Sequence, residues 1–127
     1  MTTVLKLEMT SLLIALTFLA EITFCAHIAP NTKFVIGREG ESATLSCLYE
    51  SSSSHVLLFW GRILPKQAPE FLLLKGARSE TQFQSVDPRY DSATSKTATF
   101  LIINNLTLED KASYYCVLEE HSDENYS

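Results

Sequence analysis

The stretch Leu101–Cys116, LIINNLTLEDKASYYC, decides the fold. Its first half is rich in β-branched residues, and its second half runs through two tyrosines into a cysteine. Both halves are typical of strands, and the polar residues between them indicate a turn. Two strands joined in this way predict a β protein.

Earlier segments carry the same signal. In ESATLSCLY (41–49), apolar residues alternate with serine and threonine, which predicts a strand with one buried face and one wet face. In VLLFWGRIL (56–64), both faces are largely apolar, which predicts a strand covered on both sides. No segment shows sustained helical periodicity, so short strands separated by polar turns predict an all-β sandwich.

The first residues have the composition of a secretory signal peptide. Lys6 precedes the apolar run SLLIALTFLA (11–20), and small residues follow in TFCA (23–26). A basic first part, an apolar centre and a cleavage site with small residues, in this order, predict a signal peptide over residues 1–26. The remaining residues suffice for one small domain, in the secretory pathway.

Charge and cysteine content narrow the function. The net charge of −5 argues against the positively charged surface that nucleic-acid binding needs. With Cys25 at the expected cleavage site, Cys47 and Cys116 most simply pair with each other in a secreted domain. The spacing of the three histidines, His27, His55 and His121, does not match that of metal ligands, and no nucleophile is paired with a base. We therefore expect no cofactor, no metal site and no enzymatic activity.

The order Cys47, Trp60, Tyr114, Cys116 resembles the variable-type (V-type) domain of the immunoglobulin superfamily. The resemblance runs from EGESATLSC (39–47) through the tryptophan to RYDSATSKTATFLIINNLTLEDKASYYC (89–116). It implies a Cys47–Cys116 disulfide, a core around Trp60, Leu101 and Tyr114, and a salt bridge between Arg89 and Asp110. The family signature L-x-I-x-x-L-x-x-E-D-x-A-x-Y-Y-C falls on Leu101, Ile103, Leu106, Glu109, Asp110, Ala112, Tyr114, Tyr115 and Cys116.

The segments EFLLLKG (70–76) and YYCVL (114–118) look most like T-cell receptor alpha or delta variable segments. This implies half of a receptor heterodimer, paired with a beta- or gamma-like chain, that recognises antigen on a presenting molecule in adaptive immunity. It also implies the extracellular side of the plasma membrane, with signalling subunits engaged only through constant regions. Antibody light chains share much of this framework, and a stand-alone V-type domain for adhesion or innate recognition is the alternative.

The ending of the sequence suggests a germline segment. A complete variable domain closes with strand G, which a joining segment supplies, so the resemblance implies a V-type domain over 27–120 with strand G missing. Residues 121–127 would be read-through of a recombination signal: CACAGTG encodes His, Ser and a residue whose codon starts with G, as in His121–Asp123. We therefore expect an unpaired strand edge that includes Tyr115 and Val117.

Three loops at one end would form the antigen-binding surface. They are expected at Ser51, Ser52, Ser53, Ser54 and His55; at Lys75, Gly76, Ala77, Arg78, Ser79 and Glu80; and at Val117, Leu118, Glu119 and Glu120.

A second surface would face the partner chain. Gly61 replaces an aromatic residue of the family there, and Ile63 replaces a glutamine that normally bonds its counterpart, which predicts altered pairing. Asn105 begins the sequon NLT and predicts a glycan. The partner-facing residues are expected to be Phe59, Gly61, Ile63, Ala68, Pro69, Phe71 and Tyr115.

Overall fold

A computed structural model describes residues 4–11 and 26–121 of the 127-residue chain. It confirms the predicted all-β sandwich, with a single turn of 3-10 helix at Leu108–Asp110 in the described part. The strands are β1 (Val4–Ser11), β2 (His27–Pro30), β3 (Phe34–Arg38), β4 (Ala43–Glu50), β5 (His55–Ile63), β6 (Glu70–Arg78), β7 (Phe83–Ser85), β8 (Tyr90–Thr94), β9 (Ala98–Ile103) and β10 (Ser113–His121).

The strands form two sheets. One has six strands in the order β3-β1-β10-β5-β6-β7, and the other has four in the order β2-β4-β9-β8. All the pairings are antiparallel except that of β1 with β10, which is parallel. The alternation seen in the sequence turns one face of each sheet inward, and the two inner faces make the core.

The core is built around a disulfide. Cys47 and Cys116 are bonded and fully buried, which confirms the predicted pairing. Trp60 lies opposite Cys116 on the neighbouring strand, and its indole Nε1 donates to Thr99 Oγ1 at 3.0 Å. Leu101 and Tyr114 are also fully buried. The bond therefore ties the four-stranded sheet to the six-stranded one at the centre of the apolar layer.

A polar cluster closes one end of the sandwich around Asp110. Arg89 donates to both carboxylate oxygens of Asp110, at 2.9 and 3.0 Å, and the Thr107 amide donates to one of them at 2.8 Å. The Tyr114 hydroxyl donates to the Asp110 carbonyl. Burial alone would raise the pKa of Asp110, but these bonds and the charges of Arg89 and Arg62 outweigh it and lower the pKa.

The edge of β10 is covered along Ser113–Cys116, whereas Val117 has no partner on β1. We expected it to be unpaired, but β1 lies beside it, with Thr10 opposite Tyr115, and β1 also pairs with β3 on its other side. The expectation is wrong for Ser113–Cys116, because Val4–Ser11, which we assigned to the signal peptide, fills the place where strand G was expected. Unpaired strand edges readily accept such a neighbour. The rest of the expected signal peptide and residues 122–127 of the expected tail lie outside the described residues.

Candidate partner-chain surface and loop end

The outward face of the six-stranded sheet carries apolar residues on β5, β6 and β10. Phe59 and Phe71 pack edge to face, with ring centroids 6.3 Å apart. Leu57 and Leu74 are buried there although neither belongs to the central core. This face therefore holds a second, shallower apolar cluster, as predicted for a strand covered on both sides.

At the centre of this face, Tyr115 takes the place of the missing side chain at Gly61. The two residues are directly opposite each other on β10 and β5. A Cβ atom on Gly61 would lie 2.3 Å from Cζ and Oη of Tyr115 and 2.7 Å from the carbonyl oxygen of Glu70. The register also shifts between Trp60 and Gly61, which brings Phe71 opposite Gly61. Gly61 thus lets a cross-strand aromatic ring and a neighbouring backbone approach closely.

The other expected partner-facing residues lie toward the end of β5. Ile63 is 36% exposed, and Ala68 and Pro69 are exposed in the connection to β6. Beside them is an open groove of about 600 Å³. Two lysines stand among its otherwise mostly apolar or small lining residues, which are Ile63, Leu64, Pro65, Lys66, Gln67, Lys111, Ala112 and Ser113.

At the opposite end of the sheet, the serine loop (Ser51–Ser54) connects β4 to β5. Ser51 Oγ donates to the Glu120 carboxylate, and Ser53 Oγ donates to the His121 carbonyl at 2.5 Å. The loop is therefore tied to the far end of β10, where the third loop was expected to begin.

Arg78 holds the serine loop from the other side. Its guanidinium Nη1 donates to the carbonyls of Ser51 and Ser53 at 2.7 Å, and Nη2 donates to that of Lys96 at 2.7 Å. The guanidinium also lies 5.3 Å from the ring centroid of Tyr49. We expected Arg78 to be an antigen contact, but its donors are engaged within the domain, and no signal in the sequence indicated this role.

Two expected loops begin later than predicted. Lys75–Arg78 belong to β6, with Gly76 and Ala77 buried, and the turn starts at Ser79. Val117–Glu120 belong to β10, with Leu118 fully buried. The predicted boundaries are wrong because β5 pairs with β6 and with β10 to its very first residue. That residue is His55, which we expected in the first loop and which lies opposite Arg78 and His121. Only Ser79 and Glu80 of the second set therefore lie in a turn.

Arg62 is a residue whose role sequence reasoning missed. It follows Gly61 on β5, and its Nε donates to Glu70 at 2.9 Å while Nη1 lies 3.7 Å from Asp110. It therefore joins the polar cluster around Asp110 at the end of the sandwich. Asn105, the expected glycan site, is exposed in a turn with φ of 56°, and its carbonyl accepts from Arg89.

The part of the chain that the structure describes contains no group of three or more His, Cys, Asp or Glu side chains placed to hold a metal. Within the same residues, no helix has the length and apolar character needed to cross a membrane.

Two packed sheets, a central disulfide opposite a tryptophan, and loops gathered at one end define a variable-type immunoglobulin domain. Comparison with known proteins agrees: the immunoglobulin V-set domain family matches residues 30–127, and the chain belongs to this family.

Individual relatives fall into several classes. T-cell surface glycoprotein CD4 of Mus musculus is 34% identical over 114 residues, which cover 86% of this chain and 24% of that protein. Putative butyrophilin subfamily 2 member A3 of Homo sapiens is 28% identical over 116 residues, 87% of this chain and 20% of that protein. T cell receptor alpha variable 26-1 of Homo sapiens is 29% identical over 80 residues, 63% of this chain and 71% of that protein. The chain thus spans about a quarter or less of the first two relatives.

Proposed function

We propose that this chain is the variable domain of a T-cell receptor alpha or delta chain, which recognises antigen as half of a heterodimer. The observation that carries the proposal is the apolar outward face around Phe59, Phe71 and Tyr115. The similarity to a human receptor alpha variable segment and the receptor-like segments EFLLLKG and YYCVL support it. The chain would work at the outer side of the plasma membrane, without enzymatic activity, and reach signalling subunits only through constant regions.

The outward face has the character of a protein interface. Phe71 is 40% exposed and Ile63 is 36% exposed, beside the buried Leu57 and Leu74. Exposed aromatic and aliphatic side chains above a packed apolar layer are typical of the centre of an interface, because docking removes them from water together. The paired receptor chain would cover this patch.

The loop end supports antigen contact. The serine loop offers the exposed Ser52 on a backbone that Arg78 and β10 already hold in place. Small polar side chains on a fixed backbone can bond varied surfaces with little ordering cost on binding. The antigen and its presenting molecule would be met by this loop, by Ser79 and Glu80, and by Glu119 and Glu120 near the end of β10.

The pairing face can be tested with a matched pair of variants. Phe71→Asp places a carboxylate on the outward face, whereas Leu48→Asp places one on a residue that is 48% exposed on the four-stranded sheet. Each would be expressed as the variable region of a receptor alpha chain in cells that supply beta or gamma chains. Surface heterodimer, measured by flow cytometry, should fall at least tenfold for Phe71→Asp only. Equal losses for the two variants would reject the pairing face.

Ile63→Gln tests the departure from the family pattern. A glutamine at this exposed position could bond its counterpart on the partner chain, as the resemblance implies. We expect more surface heterodimer from this variant than from the natural sequence. No gain in heterodimer would contradict the assigned role of position 63.

The alternative function is a stand-alone V-type domain for adhesion or innate recognition. The similarity to mouse CD4 over 86% of this chain favours it, since that protein is described as a T-cell surface glycoprotein rather than as an antigen receptor. The two functions differ in their need for a second receptor chain. Binding of the purified full chain to cells that lack beta and gamma chains would support the alternative.

A further inference from the structure

We propose that the outward face also binds a second copy of this chain, forming an antiparallel dimer in which the loop end of each copy lies over the groove of the other. This inference shares with the proposed function the idea that the face is a docking surface. It does not depend on which receptor chain, if any, binds there.

The charges on this face are arranged in opposite signs at its two ends. Lys66 and Lys111 line the groove and are exposed. Glu119 lies on β10 at the loop end, with a side chain that is 51% exposed. Tyr115 is midway between Lys111 and Glu119, four residues from each, or about 13 Å at the rise of an extended chain.

This spacing fits a two-fold axis that lies in the interface near Tyr115 and Gly61, parallel to the plane of the sheet and perpendicular to β10. Such an axis places Lys111 of each copy near Glu119 of the other, and the Tyr115 rings meet at the centre. The alternating side chains of β10 put Tyr115, Val117 and Glu119 on the same face of the sheet. A parallel arrangement would instead bring Lys111 to Lys111 and Glu119 to Glu119, which repel.

The neighbouring charges leave this pattern intact. At the groove end, Glu70 is bonded to Arg62 at 2.9 Å, so it does not cancel the lysines. At the loop end, His121 Nε2 lies 3.9 Å from the Glu119 carboxylate, and the carboxylate remains half exposed. A second copy therefore complements the face in both charge and apolar content.

Charge reversal tests this arrangement directly. The full chain and its variants Lys111→Glu, Glu119→Lys and Lys111→Glu/Glu119→Lys would be purified and compared by sedimentation equilibrium. Each single reversal turns the two Lys111–Glu119 contacts of the dimer into contacts between like charges, so the dissociation constant of the dimer should rise about tenfold. The double variant exchanges the signs at both ends and should restore the natural dissociation constant. Lys96→Glu, in the turn between β8 and β9, is the control and should change nothing.

Each outcome decides the inference. Weaker dimers for both single variants and recovery in the double variant support it, and the recovery also shows that the substituted chains fold. A chain that stays monomeric, or a dimer that the single reversals leave unchanged, overturns it. The heterodimer assay with the same variants separates the two proposals: self-association without heterodimer rejects only the proposed function, and heterodimer without self-association rejects only this inference.

Discussion

Replacing Gly61 by alanine should destabilise the domain, although alanine is usually the better residue in a strand. The added Cβ would lie 2.3 Å from two atoms of the Tyr115 side chain and 2.7 Å from the Glu70 carbonyl oxygen, where real contacts stay above 3.0 Å. The tyrosine ring can rotate away, but the carbonyl belongs to the backbone of β6. Relief therefore requires both a side-chain and a backbone shift.

The size of the effect follows from two opposing contributions. Overpacking of this kind costs about 1–3 kcal/mol. Removing the extra backbone freedom of glycine offsets roughly 0.5–1 kcal/mol of that cost. We expect a net loss of about 1–2 kcal/mol, which lowers the melting temperature of a domain of this size by roughly 5–15 °C.

A double-mutant cycle measures the contact with Tyr115. Denaturant unfolding, followed by the fluorescence of Trp60, the only tryptophan and a fully buried one, gives the free energy of unfolding for each variant. In a Tyr115→Ala background, the cost of Gly61→Ala should fall by about 1 kcal/mol, because only the Glu70 contact remains. Gly40→Ala is the control: φ at Gly40 is 83° and no atom lies within 4 Å of an added Cβ, so its cost should not depend on Tyr115.

A neutral or stabilising effect of Gly61→Ala would refute overpacking at this position. An equal loss of stability with and without the Tyr115 ring would show that the ring does not occupy the space over Gly61.

Other expected outcomes follow from the polar cluster and the strained turns. Asp110→Asn should lower the free energy of unfolding by about 3 kcal/mol, because Arg89 then lacks its charge partner; an unchanged denaturation midpoint would refute this. The pKa of Asp110 is lower in the folded than in the unfolded chain, so its contribution to the free energy of unfolding is present above the unfolded pKa of about 4 and is lost as the pH falls. Acid titration of the natural chain should show this loss of stability, and acid titration of Asp110→Asn should not. Lys66→Gly should stabilise the domain by roughly 0.5–1 kcal/mol, because φ is 60° there, and a lower melting temperature would contradict it. Arg78→Ala should speed amide exchange in the serine loop about tenfold, with unchanged exchange rates counting against the anchoring role. Asn105→Gln should remove one glycan from the chain made in mammalian cells, which lowers its mass. An unchanged mass would mean that Asn105 carries no glycan.

The sequence allowed the central features of the fold to be predicted, because they are local patterns. Alternation in β4 and apolar faces in β5 indicate strands without any knowledge of their neighbours. The pair Cys47 and Cys116 and the residues Trp60 and Tyr114 stand at spacings that the resemblance makes specific. The resemblance also implies that they share one buried layer, and the strand period puts Tyr114 and Cys116 on the same face of β10.

The ends of β6 and β10 could not be predicted, because cross-strand pairing sets them. Gly76 suggested a turn, yet it lies inside β6. Glu80 folds back over it, so that an added Cβ would lie 2.6 Å from Glu80 Cγ. In the same way, Gly61 suggested only altered pairing, since Tyr115, whose ring lies over it, is distant in sequence. The role of Arg78 also depends on three carbonyl groups brought together only by the fold.

The position of β1 has a consequence for maturation of the chain. Its first residues bond to β3, its last bond to β10, and Glu8 pairs with both. Cleavage at the expected site after Ala26 would leave two strand edges without a neighbour at the same moment. One replacement strand that runs antiparallel to β3 could satisfy both edges. Until another strand takes this place, the edges of β3 and β10 would be open to pairing with other chains, which favours aggregation.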